Sequence, residues 1–362
     1  MHKTPFKPFD EPSFEGILSP RQIEALRSNL IGRKVVLCFG AGVDSTAMIV
    51  ALKAADIQPH VITMADTGGE KPETLEHVER MNLVLAGWGW PCVTMVKKIP
   101  LASTPYTDLY GNCISNETLP SLAFGLKSCS IKWKQVPQDQ YLKGVQRGPM
   151  RRESHALWKA AQEDGDRIVK LIGYDCGKAD MRRSAKPPPA DADFDYQYPL
   201  QTIGWARPDC VSAIAKALGE QFIPTKSACW FCPASKEWEL YWLAAYHPEL
   251  LERALALEYR ALTGRHSRFD SIEFGATWEE LVKNHDRFPS NATSVGLGRS
   301  FAWCQWARVN KVTDSDFKVL RSPDDRLRFL LKYAELQKAD NAQDIRTSAA
   351  TPKRRVIPVV PA

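Results

Sequence analysis

No run of about 18 apolar residues occurs in the 362-residue sequence, so no membrane-crossing helix is expected. The opening residues, Met1-His2-Lys3-Thr4-Pro5, lack the apolar stretch of a secretory signal, and a cytoplasmic, reducing setting is the expectation. Charge of one sign is scarce as well. Forty-eight Lys and Arg against 42 Asp and Glu leave a net +6, which suits anionic ligands but does not define a nucleic-acid binder. No internal repeat is visible. Cysteine, by contrast, is plentiful: nine in a reducing compartment indicate free thiols, a metal site or redox chemistry rather than a disulfide framework.

The chain is longer than one ordinary domain, and its 44% hydrophobic and 25% charged residues are those of a globular protein. Residues 1–32 read as an irregular arm followed by a helix, because Ser19-Pro20-Arg21-Gln22 forms a capping box and Ile23, Leu26 and Leu30 share a face. Continuous apolar runs at 35–39, 61–65, 93–96 and 168–172 suit strands buried on both faces. Helical spacings separate them, with Met48, Leu52 and Ala55 in the first helix and Leu75, Val78 and Leu85 in the second. This alternation predicts a parallel α/β sheet over 33–225, with ligands at the carboxyl ends of the strands. A helical, cysteine-bearing region is expected over 226–337, with helices meeting near Pro248, and residues 338–362 read as a disordered polar tail.

The chemistry concentrates at strand ends. Gly40-Ala41-Gly42-Val43-Asp44-Ser45-Thr46 stands between the first strand and a helix, where small residues, free helix amides and two hydroxyls suit a polyphosphate. Asp44 makes sense there beside a Mg²⁺ that neutralises phosphate oxygens. Asp66-Thr67-Gly68-Gly69-Glu70-Lys71-Pro72-Glu73-Thr74 follows the second strand, and Gly173-Tyr174-Asp175-Cys176 leads after the fourth to Lys178, Arg182 and Arg183, whose guanidinium forks suit phosphate. Each also has a plain reading as a capped or solvated turn.

Together these segments resemble the phosphoadenylyl-sulfate (PAPS) reductase family within the PP-loop superfamily. The first resembles Ser-Gly-Gly-x-Asp-Ser, with Gly40 and Ala41 departing from it, and the second resembles Asp-Thr-Gly-x-x-Phe-Pro-Glu-Thr, with Lys71 in place of Phe. The resemblance spans residues 33–245. It implies a PP-loop, adenine nucleotide alpha-hydrolase-like domain with an appended helical cysteine region. It further implies ATP, or alternatively PAPS, bound by Gly40, Ala41, Gly42, Val43, Asp44, Ser45, Thr46, Asp66, Thr67, Gly68, Gly173, Arg182 and Arg183. Asp44 would hold Mg²⁺, Ser45 the phosphates, and Arg183 the developing charge.

Cys229-Trp230-Phe231-Cys232 places two thiols on one turn, which suits buried structural cysteines, a zinc or an iron–sulfur site. The resemblance implies Cys129, Cys229 and Cys232 as ligands of a [4Fe–4S] cluster, leaving the fourth place to Cys176 or Cys113. Cys38, Cys92, Cys210 and Cys304 read as small hydrophobes. No Glu-Cys-Gly motif of the kind PAPS-cleaving reductases carry is present. ATP-driven adenylation of an acceptor, with release of AMP and pyrophosphate and possible use in sulfur transfer, is therefore favoured. The alternatives are sulfonucleotide reduction and non-catalytic binding of nucleotide or nucleic acid. A sulfur donor and a nucleic-acid or small-molecule acceptor are the expected partners, with the oligomeric state open. Aromatics crowd the stretch from Trp230 to Tyr246, and Trp238, Tyr241 and Trp242, which recur at helical spacing, are expected in a core.

Overall fold

Val35–Cys38 is short, apolar and enclosed, and as strand β1 it becomes the centre of the sheet. In the computed structural model, which describes residues 13–147, 150–185, 193–264, 296–298, 301–314 and 316–349, five parallel strands lie in the order β3-β2-β1-β6-β7. Here β2 is Val61–Asp66, β3 Val93–Lys97, β6 Ile168–Ile172 and β7 Phe194–Gln197. Val36 lies opposite Val61 and Lys170, and Ile62 opposite Val93. The four continuous runs thus form the expected strands. The fifth, β7, was not expected: it is an edge strand whose Phe194 alone is buried, so it has no apolar run to announce it.

Helix α1 (Pro20–Leu30) begins at the expected capping box, with Ser19 N donating to Gln22 Oε1 at 2.9 Å and Gln22 N to Ser19 Oγ at 3.4 Å. Helix α2 (Val43–Ala54) is buried at every position from Ser45 to Leu52. In α3 (Pro72–Gly87), Val78 and Leu85 are buried as expected. Leu75, however, is exposed, because the inward stripe runs through Thr74, His77, Val78 and Met81.

The chain then leaves the sheet through α4 (Leu109–Ser115), the turn α5 (Ser128–Ser130), a π-helical turn at Ile131–Gln135, α6 (Val136–Lys143) and the hairpin β4 (Val145–Arg147) and β5 (Met150–Arg152). It returns through α7 (Ala156–Glu163) to β6, α8 (Lys178–Ser184), β7, α9 (Pro199–Thr202) and α10 (Arg207–Leu218).

A second core gathers around α11 (Glu237–Tyr246), α12 (Pro248–Thr263), α13 (Trp303–Val309) and α14 (Pro323–Ala349). Tyr241 and Trp242 are buried in it, as helical spacing suggests, while Trp238 is only half-buried, and Trp230 and Phe231 of the CxxC turn join them there. The disordered tail expected from residue 338 needs correction, since α14 continues to Ala349. Its polar residues have partners: Asp340 accepts from Lys236 Nζ at 2.9 Å and Trp238 Nε1 at 3.1 Å. Residues 350–362 and 1–12, like the proline-rich stretch at 186–189, lie outside the described residues. No described helix is long and apolar enough to cross a membrane.

The two cores meet through a buried ion group. Glu239, fully enclosed, accepts from Lys71 at 2.7 Å and Lys226 at 2.5 Å, and Lys71 also lies over the Trp242 ring at 5.1 Å. His247 adds a 2.7 Å contact to Glu73. Lys71, standing where the resembled motif has Phe, is thus an inter-core tie.

Candidate functional site: a phosphate-type loop beside a cysteine pocket

The loop from Gly40 to Thr46 leaves the carboxyl end of the central strand and opens α2, so the free amides of Val43, Asp44 and Ser45 form that helix's first turn. Gly42 is the N-cap and provides no side-chain cap. Ala41 stands at φ 51°, a left-handed conformation that costs a non-glycine residue about 1 kcal/mol. Ser45 Oγ accepts from Gly40 N and Gly42 N, each at 3.2 Å, and donates to Gly42 O at 3.1 Å. The Ser45 hydroxyl thus shapes the turn from inside. Thr46 Oγ1 is likewise engaged, 2.9 Å from Nε2 of buried His77. Burial holds His77 down to about 4, so the imidazole is neutral.

Two close approaches fix the loop's surroundings. A Cβ on Gly173 would lie 2.9 Å from Ser45 N, and one on Gly42 would lie 2.6 Å from Ser227 Oγ. Gly173, pressed against backbone, therefore requires glycine for space, whereas at Gly42 the Ser227 hydroxyl would have to turn away.

At the mouth of the loop, Asp44, Asp175 and Asp180 converge with a carboxylate oxygen of each within 4.8 Å of the others. Arg207 donates to Asp44 Oδ2 at 2.9 Å and stands 3.7 Å from Asp175, while Arg183 donates to Asp180 at 2.6 Å. The other Asp44 oxygen, Oδ1, is enclosed without a hydrogen-bond partner. Burial, with Asp175 and Asp180 adding to it against Arg207 and Arg183, pushes Asp44 up to about 7. Three carboxylates, one with a free enclosed oxygen, fit a hard divalent cation. Arg182 is exposed on α8 and makes no ion pair among the described residues.

The second loop turns toward the cysteines. Asp66 accepts from Gly68 N at 2.8 Å and pairs with Lys97 at 2.7 Å, and a Cβ on Gly68 would lie 2.5 Å from Asp108 Cβ. Thr67 N and Oγ1 donate to Glu70 at 2.9 and 2.8 Å, and Thr67 Oγ1 lies 3.4 Å from Cys229 Sγ. Glu70 forms a β-bridge with Cys229, and Trp230 N donates to Gly69 O at 2.9 Å. The CxxC turn is therefore hydrogen-bonded directly to the nucleotide-type loop.

Cys113, Cys129, Cys229 and Cys232 belong to this pocket. Burial, and after it the charges of Cys129 and Cys229, pushes Cys113 up to about 12. Burial pushes Cys229 up to about 12 and raises Cys232. Among these sulfurs stands the Lys134 ammonium: enclosure would lower its pKa, but Cys229, Glu70, Cys232 and Cys129 outweigh that and raise it. A metal bound there would have to displace the thiol protons, and the Lys134 ammonium would offset part of the negative charge of the resulting thiolates. Among the described residues no three of these sulfurs lie within 4.8 Å of one another. One tetrahedral zinc would need about 3.8 Å, whereas a cluster binds its cysteines on separate irons.

Cys176 lies elsewhere. Its thiol faces Leu200 O at 3.9 Å and its charged neighbours are Asp175 and Asp209, so Cys113, not Cys176, is the cysteine that lies with Cys129, Cys229 and Cys232. Cys210 and Cys304 are buried as expected, but Cys92 is exposed.

Arg207, Ser227 and Lys134 were not expected at the site. Arg207 opens α10 within Arg-Pro-Asp, which signals only a helix start, and the others lie far along the chain from the loops they meet.

The architecture and site together define a five-stranded parallel α/β domain, with a glycine-bearing loop and three carboxylates at its strand ends, and an appended helical, cysteine-bearing region. No protein-family model matches the chain, and no curated protein does. Among solved structures it is similar to phosphoadenylyl-sulfate (PAPS) reductase from Candida auris in its phosphate complex, at 12% identity over 60% of this chain and 92% of that one, TM-score 0.33. It is also similar to the U34-tRNA thiolase NcsA from Methanococcus maripaludis with its [4Fe-4S] cluster, at 13% identity over 66% and 77%, TM-score 0.34. Values this low leave function to the site itself.

Proposed function

We propose that the protein is a PP-loop enzyme that binds ATP at Gly40–Thr46, adenylates an acceptor and releases pyrophosphate, for sulfur transfer beside the cysteine pocket. An acceptor oxygen attacks the α-phosphorus, the bond to the β-phosphate oxygen breaks, and sulfide then displaces AMP from the acceptor. The observation that carries this reading is the enclosed, unpartnered Oδ1 of Asp44, whose carboxylate is grouped with those of Asp175 and Asp180 at the first turn of α2.

Asp44, with Asp175 and Asp180, would hold Mg²⁺, whose charge would neutralise the phosphate oxygens. The amides of Val43, Asp44 and Ser45 bind phosphate, and Ser45 Oγ keeps the turn in shape. Arg207 and Arg183 are the cations available for charge developing on the departing pyrophosphate. At the neighbouring strand end, Thr67 and Glu70 tie the second loop to Cys229. Cys113, Cys129, Cys229 and Cys232 would hold a [4Fe–4S] cluster with a thiolate on every iron, which would supply a redox centre beside the loops rather than an open iron.

A second reading, reduction of a sulfonucleotide without a metal, is favoured by one contact: Arg207 already neutralises Asp44 at 2.9 Å. Product analysis separates the two. Pyrophosphate and AMP formed from ATP only with Mg²⁺ support adenylation; sulfite released from PAPS, with ATP untouched, overturns it in favour of reduction.

A further inference from the structure

Beside the cysteine pocket the surface is basic and apolar together. A cleft of about 290 Å³ is lined by Lys98, Ile99, Leu101, Tyr106, Lys132 and Val136 among others. It adjoins a smaller hollow of about 140 Å³ that contains Cys113, Cys129 and Trp133, and Lys132 lines both. Val145 borders both the cleft and a neighbouring hollow of about 360 Å³, which its cross-strand partner Arg152 lines together with Lys143 and Lys159.

The cations here lack anions. Among the described residues Lys98, Lys127, Lys132 and Arg152 have no carboxylate within ion-pair distance, although Lys34, Lys71, Lys97 and Lys170 elsewhere do. Lys98 lies 4.3 Å from the centre of the Trp133 ring, and burial together with the neighbouring Lys132 lowers its pKa. Between the cations stand side chains that water does not favour: Ile99 is 42%, Leu101 49% and Ile131 50% exposed.

We propose that this cleft seats a single-stranded polynucleotide, with phosphates on Lys98, Lys132 and Arg152 and bases on Tyr106 and the exposed aliphatic floor, one base reaching toward the hollow at Cys113 and Cys129. Cations spread over three separate segments match a repeated charge better than one small anion. The apolar floor requires base faces that a duplex hides. This inference deepens the adenylation reading by naming its acceptor class. It rests on that reading for its chemistry, while the binding is measurable without it.

The test uses the full chain and fluorescence anisotropy. Its probes are labelled mixed-sequence RNA and DNA single strands of about 20 nucleotides, the matching duplexes, and polyglutamate of equal charge. Single strands are expected to bind about 10-fold or more tighter than duplex or polyglutamate. The Lys98→Ala/Lys132→Ala/Arg152→Ala variant should lose about 10-fold or more in affinity and about 2 in the slope of log K against log salt, near 0.7 per lost phosphate contact. Tyr106→Ala should lose about 10-fold with the slope unchanged. Equal binding of duplex or polyglutamate, no binding of single strands, or an unaltered triple variant overturns the proposal. Conversion of MgATP to AMP and pyrophosphate is measured on the same preparations. ATP cleavage without strand binding sinks the docking surface alone; strand binding with no ATP cleavage sinks the adenylation reading and leaves the surface standing.

Discussion

Asp44 sets the chemistry at the scale of single residues. Asp44→Asn should lower Mg²⁺-dependent turnover of ATP by ~100-fold or more, since it removes a carboxylate from the three that converge there. The folded protein should not suffer. Because Asp44 titrates at about 7 against an ordinary 3.8, the native state holds its proton more tightly, and stability is lost as pH rises between those values. Asparagine escapes that penalty, so at pH above 7 the variant should melt no lower than wild type. A parallel drop in melting temperature would make the lost turnover a folding defect. His77 carries the opposite linkage. Its folded value of about 4 lies below the ordinary 6.5, so stability is complete above 6.5 and falls toward 4, by up to ~3 kcal/mol. Denaturant titrations at pH 7 and 5 check this, and His77→Gln should flatten the difference. Gly173→Ala should cost ~10- to 100-fold in turnover by pressing on Ser45 N, 2.9 Å away. Asp44 and the glycines were legible because their spacing encodes their surroundings. Arg207 and Ser227 were not, because only the folded chain brings residues so distant in sequence to the loop.

Between elements, the tie of β2's loop to α11 can be weighed directly. Glu239→Ala leaves two ammonium groups without their enclosed partner and should cost about 3–5 kcal/mol by chemical denaturation. Replacing Lys71 and Glu239 together by Met and Leu should recover much of that, because the apolar pair needs no charge partner. Additive losses in the double variant would show that the ion group is not a unit. The elements themselves were readable wherever burial leaves a pattern: four continuous runs became four strands, and a capping box began α1. Pattern failed at β7, with one buried residue in four, and at the start of α14's polar second half, where Asp340 is held by Lys236 and Trp238 from another helix.

For the molecule as a whole, the two cores are joined both at the Lys71–Glu239 ion group and where the Thr67–Glu70 loop bonds the CxxC turn. The cysteine pocket is the second of these junctions. Anaerobically purified protein should carry iron and a broad visible band near ~400 nm. Cys113→Ser should remove most of both, and Cys176→Ser should remove neither. The reverse pattern would return the fourth place to Cys176. The existence of a cysteine-bearing second region was written in the sequence through Cys229 and Cys232, but Cys113 gave no signal of its own, since α4 carries it to the pocket only through tertiary packing.

The claim beneath all of this is that the first turn of α2, with Asp44, receives a nucleotide's phosphates. Incubating the protein with ATP labelled at the α-phosphate, with and without Mg²⁺, and resolving the products tests it most directly. The account predicts labelled AMP and free pyrophosphate in the presence of Mg²⁺, and neither with Asp44→Asn. Labelled ADP, or unchanged ATP with no measurable binding by a properly folded chain, would contradict it.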